Sequence, residues 1–432
     1  MPTADPYLPS HGDRSWGAVH YDLDLDYDLL GARLDGVAKI QIRAHEDLTR
    51  VCLDLAYLAV KKVTVDGKPP AKWTHTKHRL VLTLSTRIKA GRTAEIMVKY
   101  SGKPRPLVIE PHGDAGWEEL ADGVIVAGQP HGAPTWFPCN DWCGDKATYR
   151  ISVRADENYS VISNGVLSAR TRRGSGETWV YDQRQPMATY LATVQLGHYV
   201  SHPIEADVPM AIFAEVGSDV ESAFADQGRM LAYFSEVFGP YPFDTYSTVV
   251  TPDELEIPLE SQSLATFGSN YLTSEWKHVR LVAHELAHQW FGNAVTMETM
   301  QHIWLHEGFA CYAEWLWSEA AGLERADWHA QLHYARLTKL PEDLLLADPG
   351  PELMFDDRVY KRGALTLHAL RHSVGDELFF DILRAWVERF NGKTAVSADF
   401  EALAAEVAGQ DVSGLFDAWL RERALPDLPN VR

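Results

Sequence analysis

Across its 432 residues the chain carries only 4 cysteines, no apolar run of bilayer-spanning length, and fewer basic than acidic side chains. Each shortage removes a class of protein. Four thiols, Cys52, Cys139, Cys143 and Cys311, are too few for the disulfide framework that holds small secreted domains together. Cys139-Asn140-Asp141-Trp142-Cys143 has the form of half a metal site, but no second such pair completes it. The thiols are therefore expected to behave as small buried apolar groups. Without a stretch of about 20 apolar residues, no membrane-spanning helix is expected. The start, Met1-Pro2-Thr3-Ala4-Asp5-Pro6, has neither a basic n-region nor an apolar h-region, so the expectation is a soluble cytoplasmic protein. Lys and Arg number 40 against 60 Asp and Glu, a formal net charge of −20. That balance argues against nucleic acid or an anionic membrane as partner, and solvated acidic surface is its ordinary explanation. Internal repeats and low-complexity tracts are lacking too.

What is present is material for folded cores: 46% of residues are hydrophobic and 11% aromatic, enough for two or three domains in a chain of this length. Tyr21 to Tyr27 and Val37 to Arg43 alternate apolar and polar residues, the period of a half-buried strand. Val60 to Val65, closed by Asp66-Gly67, adds a hairpin signal. Leu80 to Ser85, Ala94 to Tyr100, Thr148 to Arg154 and Thr178 to Tyr181 continue the pattern. From about Ser218 the period becomes helical and stays mostly so through Leu420. Strands followed by helices predict an α+β protein with a break near residue 205: an all-β domain over 1–205 and a mostly helical domain over 206–432.

The chemistry is concentrated in His284-Glu285-Leu286-Ala287-His288 and, further on, Glu307 within Trp304-Leu305-His306-Glu307-Gly308-Phe309-Ala310. Helix positions four apart differ by about 40° around the axis, so His284 and His288 aim their imidazoles at one spot. Glu285 is rotated by about 100° from His284, beside that spot and not on it. Two His and the Glu307 carboxylate leave the fourth tetrahedral position of Zn²⁺ to water, as catalytic zinc requires. A neighbouring carboxylate can then take up the water's proton. Thr273 or Ser274 with Glu275 can start the first helix, and Gly292-Asn293 can end it. A second helix is expected from about Thr299 to Ala321, with Glu307 near its middle and Glu314 two turns on, where it can accept from a ligand imidazole. The competing reading, an amphipathic helix whose His merely satisfy core hydrogen bonds, leaves the Glu307 context unexplained. A third His six residues after the second would mark a metzincin, and Ala294 stands there instead.

The wording HELAHQWFGNAVT and WLHEGFA, with eighteen residues between His288 and Glu307, resembles the M1 (gluzincin) aminopeptidases, the family of aminopeptidase N and leukotriene A4 hydrolase. Pro134 to Asp141 and Asp145 to Tyr149 resemble blocks of that family's amino-terminal β-domain, and Asp417 to Pro426 the usual close of its catalytic domain. The resemblance implies a saddle-like β-domain followed by a thermolysin-like catalytic domain, and a chain that stops before the family's helical carboxy-terminal roof. It also implies one Zn²⁺ per chain on His284, His288 and Glu307, with Glu285 as general base. Tyr360, in Val359-Tyr360-Lys361-Arg362-Gly363-Ala364, corresponds to the tyrosine that donates to the oxyanion of the tetrahedral intermediate. Glu260, in Ile257-Pro258-Leu259-Glu260-Ser261, resembles the glutamate of the GxMEN motif that binds the substrate's α-ammonium, although Ile257, Leu259 and Ser261 depart from that motif. Gln129, in Gly128-Gln129-Pro130, is the candidate second amine-binding residue. His306 stands where the family usually has Asn, and is expected to face away from the metal ligands. Of the 18 His, only two are assigned to metal; His278, His302 and His333 are left to surface or packing.

The implied function is hydrolysis of N-terminal residues from peptides with a free amino terminus. Two rivals stand beside it: a zinc peptidase whose open cleft gives weak N-terminal selectivity, and a catalytically silent module that binds partners. The intact set His284, Glu285, His288, Glu307 and Tyr360 counts against silence.

Overall fold

The alternation at the start of the chain is realised in the strand Trp16–Asp28, where Tyr21, Leu23, Leu25 and Tyr27 are buried while Asp24 and Asp26 face solvent. The computed structural model describes residues 4–429. Met1, Pro2 and Thr3 of the start read above, and residues 430–432 of the carboxy-terminal stretch, lie outside the described residues. Trp16–Asp28 lies at the middle of a seven-stranded sheet ordered Val166–Arg173, Gly176–Ala188, Lys146–Asp156, Trp16–Asp28, Arg33–Ala44, Thr93–Gly102, Ala59–Val65. It runs parallel to Lys146–Asp156, with Tyr21 opposite Tyr149, and antiparallel to Arg33–Ala44, with Tyr21 opposite Ile40. Every stretch read as a strand in the sequence is one.

The Asp66-Gly67 signal makes a turn without making a hairpin. Both residues have positive φ (47° and 74°), and Val65 and Lys68 exchange backbone hydrogen bonds across them. The next strand, Lys72–Thr76, pairs instead with Arg79–Ile88 in a separate three-stranded sheet completed by Leu48–Asp54. Turn chemistry is local, whereas the choice of strand partner depends on which apolar face can be covered.

The chain forms two compact units: Met1–Pro203 with Ala211–Ser218 and Phe243–Ser269, and Ile204–Met210 with Asp219–Pro242 and Asn270–Arg432. The sequence places a single break near 205, whereas the packing units exchange segments. Tyr246–Val250 and Leu264–Phe267, inside the stretch read as mostly helical, are strands in a four-stranded sheet with Val200–Ile204 and Met210–Ala214. Trp16, Trp117, Trp136, Tyr21, Tyr100 and Tyr149 fill the core of the first unit.

The second unit holds the helices α1 (Val220–Phe224), α2 (Gln227–Phe238), α3 (Trp276–Ala287), α4 (Trp304–Ala320), α5 (Ala326–Leu337), α6 (Asp357–Val374), α7 (Asp376–Phe390), α8 (Ser397–Ala408) and α9 (Ser413–Phe416). Trp290, Trp304, Trp315, Trp386 and Tyr312 are buried among them. Helix α6 starts where the Asp356 carboxylate accepts from the Arg358 N–H, and stops at Gly375 with φ 88°. Its crossing with α4 is closer than ordinary side chains permit. A Cβ on Gly308 would sit 2.8 Å from the Gly363 Cα, and one on Gly363 would sit 2.7 Å from the Gly308 Cα.

Two helix boundaries differ from the sequence reading. Helix α3 begins after Glu275 and ends at Ala287, before Gly292, because Gln289 and Trp290 donate to carbonyls three residues back and tighten the chain out of α-helix. The stretch Thr299–Ala321 opens with a separate 3₁₀ turn, Met300–His302, so Glu307 lies in the first turn of α4 and not near a helix middle.

Candidate active site

His284 and Glu285 come from the last turn of α3, His288 caps its carboxy end in helical backbone, and Glu307 comes from the first turn of α4; all four are buried. His284 Nε2 lies 3.3 Å, and His288 Nε2 3.5 Å, from the same oxygen, Glu307 Oε2. The potential ligand atoms of the three residues lie within 4.8 Å of one another. Bonds of about 2.0–2.1 Å to a tetrahedral ion would place ligand atoms about 3.3–3.4 Å apart, so the spacing fits zinc.

The outer nitrogens of both imidazoles are engaged. His288 Nδ1 is 3.0 Å from the Phe291 carbonyl, and His284 Nδ1 is 2.8 Å from Glu314 Oε1. A carbonyl or carboxylate can only accept, so Nδ1 carries the proton in each ring and the Nε2 lone pairs turn toward Glu307. Two lone pairs and a carboxylate oxygen facing one point form a donor set that a divalent cation satisfies.

Glu314 is held in turn by Arg280, whose Nη1 donates to both carboxylate oxygens at 3.0 and 3.1 Å. Burial works against the Glu314 charge, but Arg280, Lys361 and the His284 hydrogen bond hold the carboxyl well below the usual carboxylate range. Burial likewise opposes ionisation of Glu307, and His288 and His284, when protonated, outweigh it and hold its pKa low. Lys361, itself buried, donates to Cys311 Sγ at 3.4 Å. Sequence reasoning missed Arg280 and Lys361. Their signals were faint: Arg280 precedes His284 by one helical turn, and Lys361 adjoins Tyr360.

Tyr360, half-buried on α6, stacks on His284 with ring centroids 6.0 Å apart and planes 18° from parallel. The Gly308–Gly363 crossing allows this approach, since Tyr360 lies one turn before Gly363 and Glu307 adjoins Gly308. His306 is buried and accepts from the Met297 N–H through Nε2 at 2.8 Å, so it braces the short strand Thr296–Met297. Of the histidines left to packing, His278 bonds Thr273, His302 bonds Ser397 and His333 stacks on Trp315.

Glu260 and Gln129 belong to the other unit, where the structure brings them together: Gln129 Nε2 donates to Glu260 Oε1 at 2.6 Å. Glu260 is pinned by the bridge that its neighbour Leu259 makes with Thr266. The loop carrying Gln129 approaches through Gly128, where a Cβ would fall 2.2 Å from the Tyr190 carbonyl oxygen.

Paired imidazoles one turn apart, a facing carboxylate on the next helix and a further carboxylate beside them define a site of the zinc-hydrolase class on a mixed α+β fold. Comparison with known proteins agrees. Residues 18–191 match the model of the peptidase M1 N-terminal domain, and residues 222–419 that of the peptidase family M1 domain. Aminopeptidase M1 of Arabidopsis thaliana is 26% identical over 452 residues, an alignment covering 94% of this chain and 50% of that protein. The chain spans about half the length of the curated relatives it matches. The crystal structure of the M1 zinc metallopeptidase from Deinococcus radiodurans superposes over the whole of both chains, with TM-score 0.90 and 30% identity. A mutant of that enzyme bound to Tyr-Ser-Ala substrate does so with TM-score 0.91 and 30% identity. The chain belongs to peptidase family M1. Like its structural neighbours, it has a β-rich amino-terminal part followed by a helical catalytic part.

Proposed function

We propose that the protein is a zinc aminopeptidase that removes N-terminal residues from peptides, with one Zn²⁺ held by His284, His288 and Glu307. The observation that carries this reading is the convergence of both Nε2 lone pairs on Glu307 Oε2, with each Nδ1 fixed by an acceptor. Zinc held there would supply Lewis-acid activation of water and of the scissile carbonyl. Glu285, buried beside the ligands, takes the proton from water and returns it to the leaving amine. Tyr360, oriented by its stacking on His284, donates its phenol hydrogen to the oxyanion as the carbonyl becomes tetrahedral. Glu314 with Arg280 holds His284 in its tautomer. Glu260, with its charge directed by the Gln129 amide, holds the substrate's α-ammonium and so selects free amino termini.

Peptides with a free amino terminus are the proposed substrates, as the Tyr-Ser-Ala complex of the Deinococcus enzyme supports. The formal charge of −20 supports neither nucleic acid nor an anionic membrane as partner. All four cysteines are free and buried, which supports a reducing, cytoplasmic setting. We place the division of labour between a β-domain over 1–205 and a zinc domain over 206–432.

The deciding experiment is hydrolysis of aminoacyl amides beside their N-acetylated forms, with and without chelator. Acetylation should lower kcat/KM, and Glu260→Ala should remove most of the difference. A charge-assisted bond to the ammonium, worth on the order of 1.5–3 kcal/mol, corresponds to about ten- to a hundred-fold in rate. Equal cleavage of free and blocked substrates by the unmutated protein would refute amino-terminal selectivity and leave a zinc peptidase of broader action. Chelator-insensitive turnover would refute the zinc assignment itself.

A further inference from the structure

Away from the candidate active site, one other group of side chains among the described residues has metal-ligand chemistry in metal-ligand geometry. His368 and His372 lie four residues apart on one face of α6, and Asp327, in the first turn of α5, stands opposite them. His372 Nε2 is 3.0 Å, and His368 Nε2 3.5 Å, from the same oxygen, Asp327 Oδ1. The potential ligand atoms of the three lie within 4.8 Å of one another.

The arrangement repeats that of His284, His288 and Glu307. There the imidazole centroids are 4.7 Å apart with planes at 80°; here they are 4.6 Å apart at 64°. The nitrogen-to-oxygen distances bracket the roughly 3.3–3.4 Å separation of ligand atoms around a tetrahedral ion with bonds of about 2.0–2.1 Å. Two imidazoles and a carboxylate suit Zn²⁺, and also Co²⁺, Ni²⁺ and Cu²⁺.

The surroundings meet the further needs of a metal. His368 Nδ1 is 3.2 Å from the Tyr312 hydroxyl, whose oxygen can accept an Nδ1 proton and turn the Nε2 lone pair toward Asp327. The side chains of His372 and Asp327 are 22% and 17% exposed, which leaves an entry path and room for water ligands. Two cations lie close. Arg371 is occupied by Asp376 and Glu319, and Arg325 sits 3.3 Å from the other Asp327 oxygen, Oδ2, leaving Oδ1 to the histidines. The Arg325 charge opposes a second cation and makes this site weaker than the buried first one.

We propose that Asp327, His368 and His372 form a second divalent-metal site, which takes Zn²⁺ more weakly than the first and clasps the start of α5 to α6. The competing possibility is an Asp–His hydrogen-bonded tie that never takes metal. Zinc titration of chelator-dialysed protein, in competition with a chromophoric chelator, separates the two. The unmutated protein should take up two equivalents, the second bound at least about tenfold more weakly. Asp327→Asn and His372→Ala should each remove only the second equivalent and leave kcat/KM at one equivalent within about twofold of the parent. His284→Ala should lose the first and keep the second, so failure of this proposal is distinguishable from failure of the active-site assignment. Uptake of a single equivalent by the unmutated protein overturns the proposal, and that measurement needs no variant to fold. Two equivalents that persist in both Asp327→Asn and His372→Ala overturn it as well.

Discussion

At the scale of single residues, two carboxylates near the candidate metal centre have opposite expected signatures. Glu314 does not face the point where the three ligand atoms converge; it accepts from His284 Nδ1 and is held by Arg280. Glu314→Gln should weaken zinc binding about 10- to 100-fold, while turnover per bound zinc stays close to the parent's. Glu285→Gln should keep zinc and lower kcat at least about 100-fold, because in the proposed mechanism removal of the water's proton and its later delivery both use that carboxylate. Zinc titration beside steady-state kinetics on the same preparations distinguishes them. A Glu285→Gln protein that loses zinc would make Glu285 a ligand, and one that keeps its turnover would remove it from the chemistry.

At the scale of elements, the crossing of α4 and α6 decides whether Tyr360 meets His284. Gly308 and Gly363 bring the two backbones into contact, and a new Cβ at Gly363 would press on the Gly308 Cα, a backbone atom that cannot turn aside. Gly363→Ala should therefore move α6 and cost about 1–3 kcal/mol of stability, as overpacking does. The proposed zinc ligands lie on α3, its cap and α4, so zinc content should stay at the parent level while kcat falls by about tenfold or more through misplacement of Tyr360. Melting temperature, zinc content and kcat on one preparation test this. An unchanged kcat with a lowered melting temperature would show that the crossing serves packing alone.

At the scale of the whole molecule, buried and half-buried histidines shape the acid response. Burial, reinforced by neighbouring His11, pushes His131 down to about 4; burial with His372 does the same to His368; burial with Lys361 brings His333 to about 3. The unfolded chain takes up these protons near pH 6.5 and the folded protein only near pH 4 and below, so the unfolded state binds more protons between those limits. Stability should therefore rise with pH from about 4 to 6.5 and be lost on acidification through that window. Asp145, pushed up to about 7 by burial, works against the trend, as do Asp54 and Glu118, which burial also raises, while burial lowers His20, His78, His278 and His329 in the same sense as the three. Melting temperatures measured from pH 4.5 to 7 should climb with pH, and His131→Gln should flatten the climb; a level profile would contradict the assignment. Much of this protein was legible in the residues alone, namely seven strands of the amino-terminal part, the helix that carries His284 and the spacing to Glu307. Those features rest on period-two and period-3.6 backbones, whose faces are defined within a few residues of chain. Other features arise only when distant faces pack: the meeting of Gln129 with Glu260, the Arg280 support of Glu314, the Gly308–Gly363 contact, the strands of 243–269 joining the β unit, and Asp327 opposite His368 and His372. A residue's identity states what it can bond, and the close packing of the folded chain decides which partner is within reach.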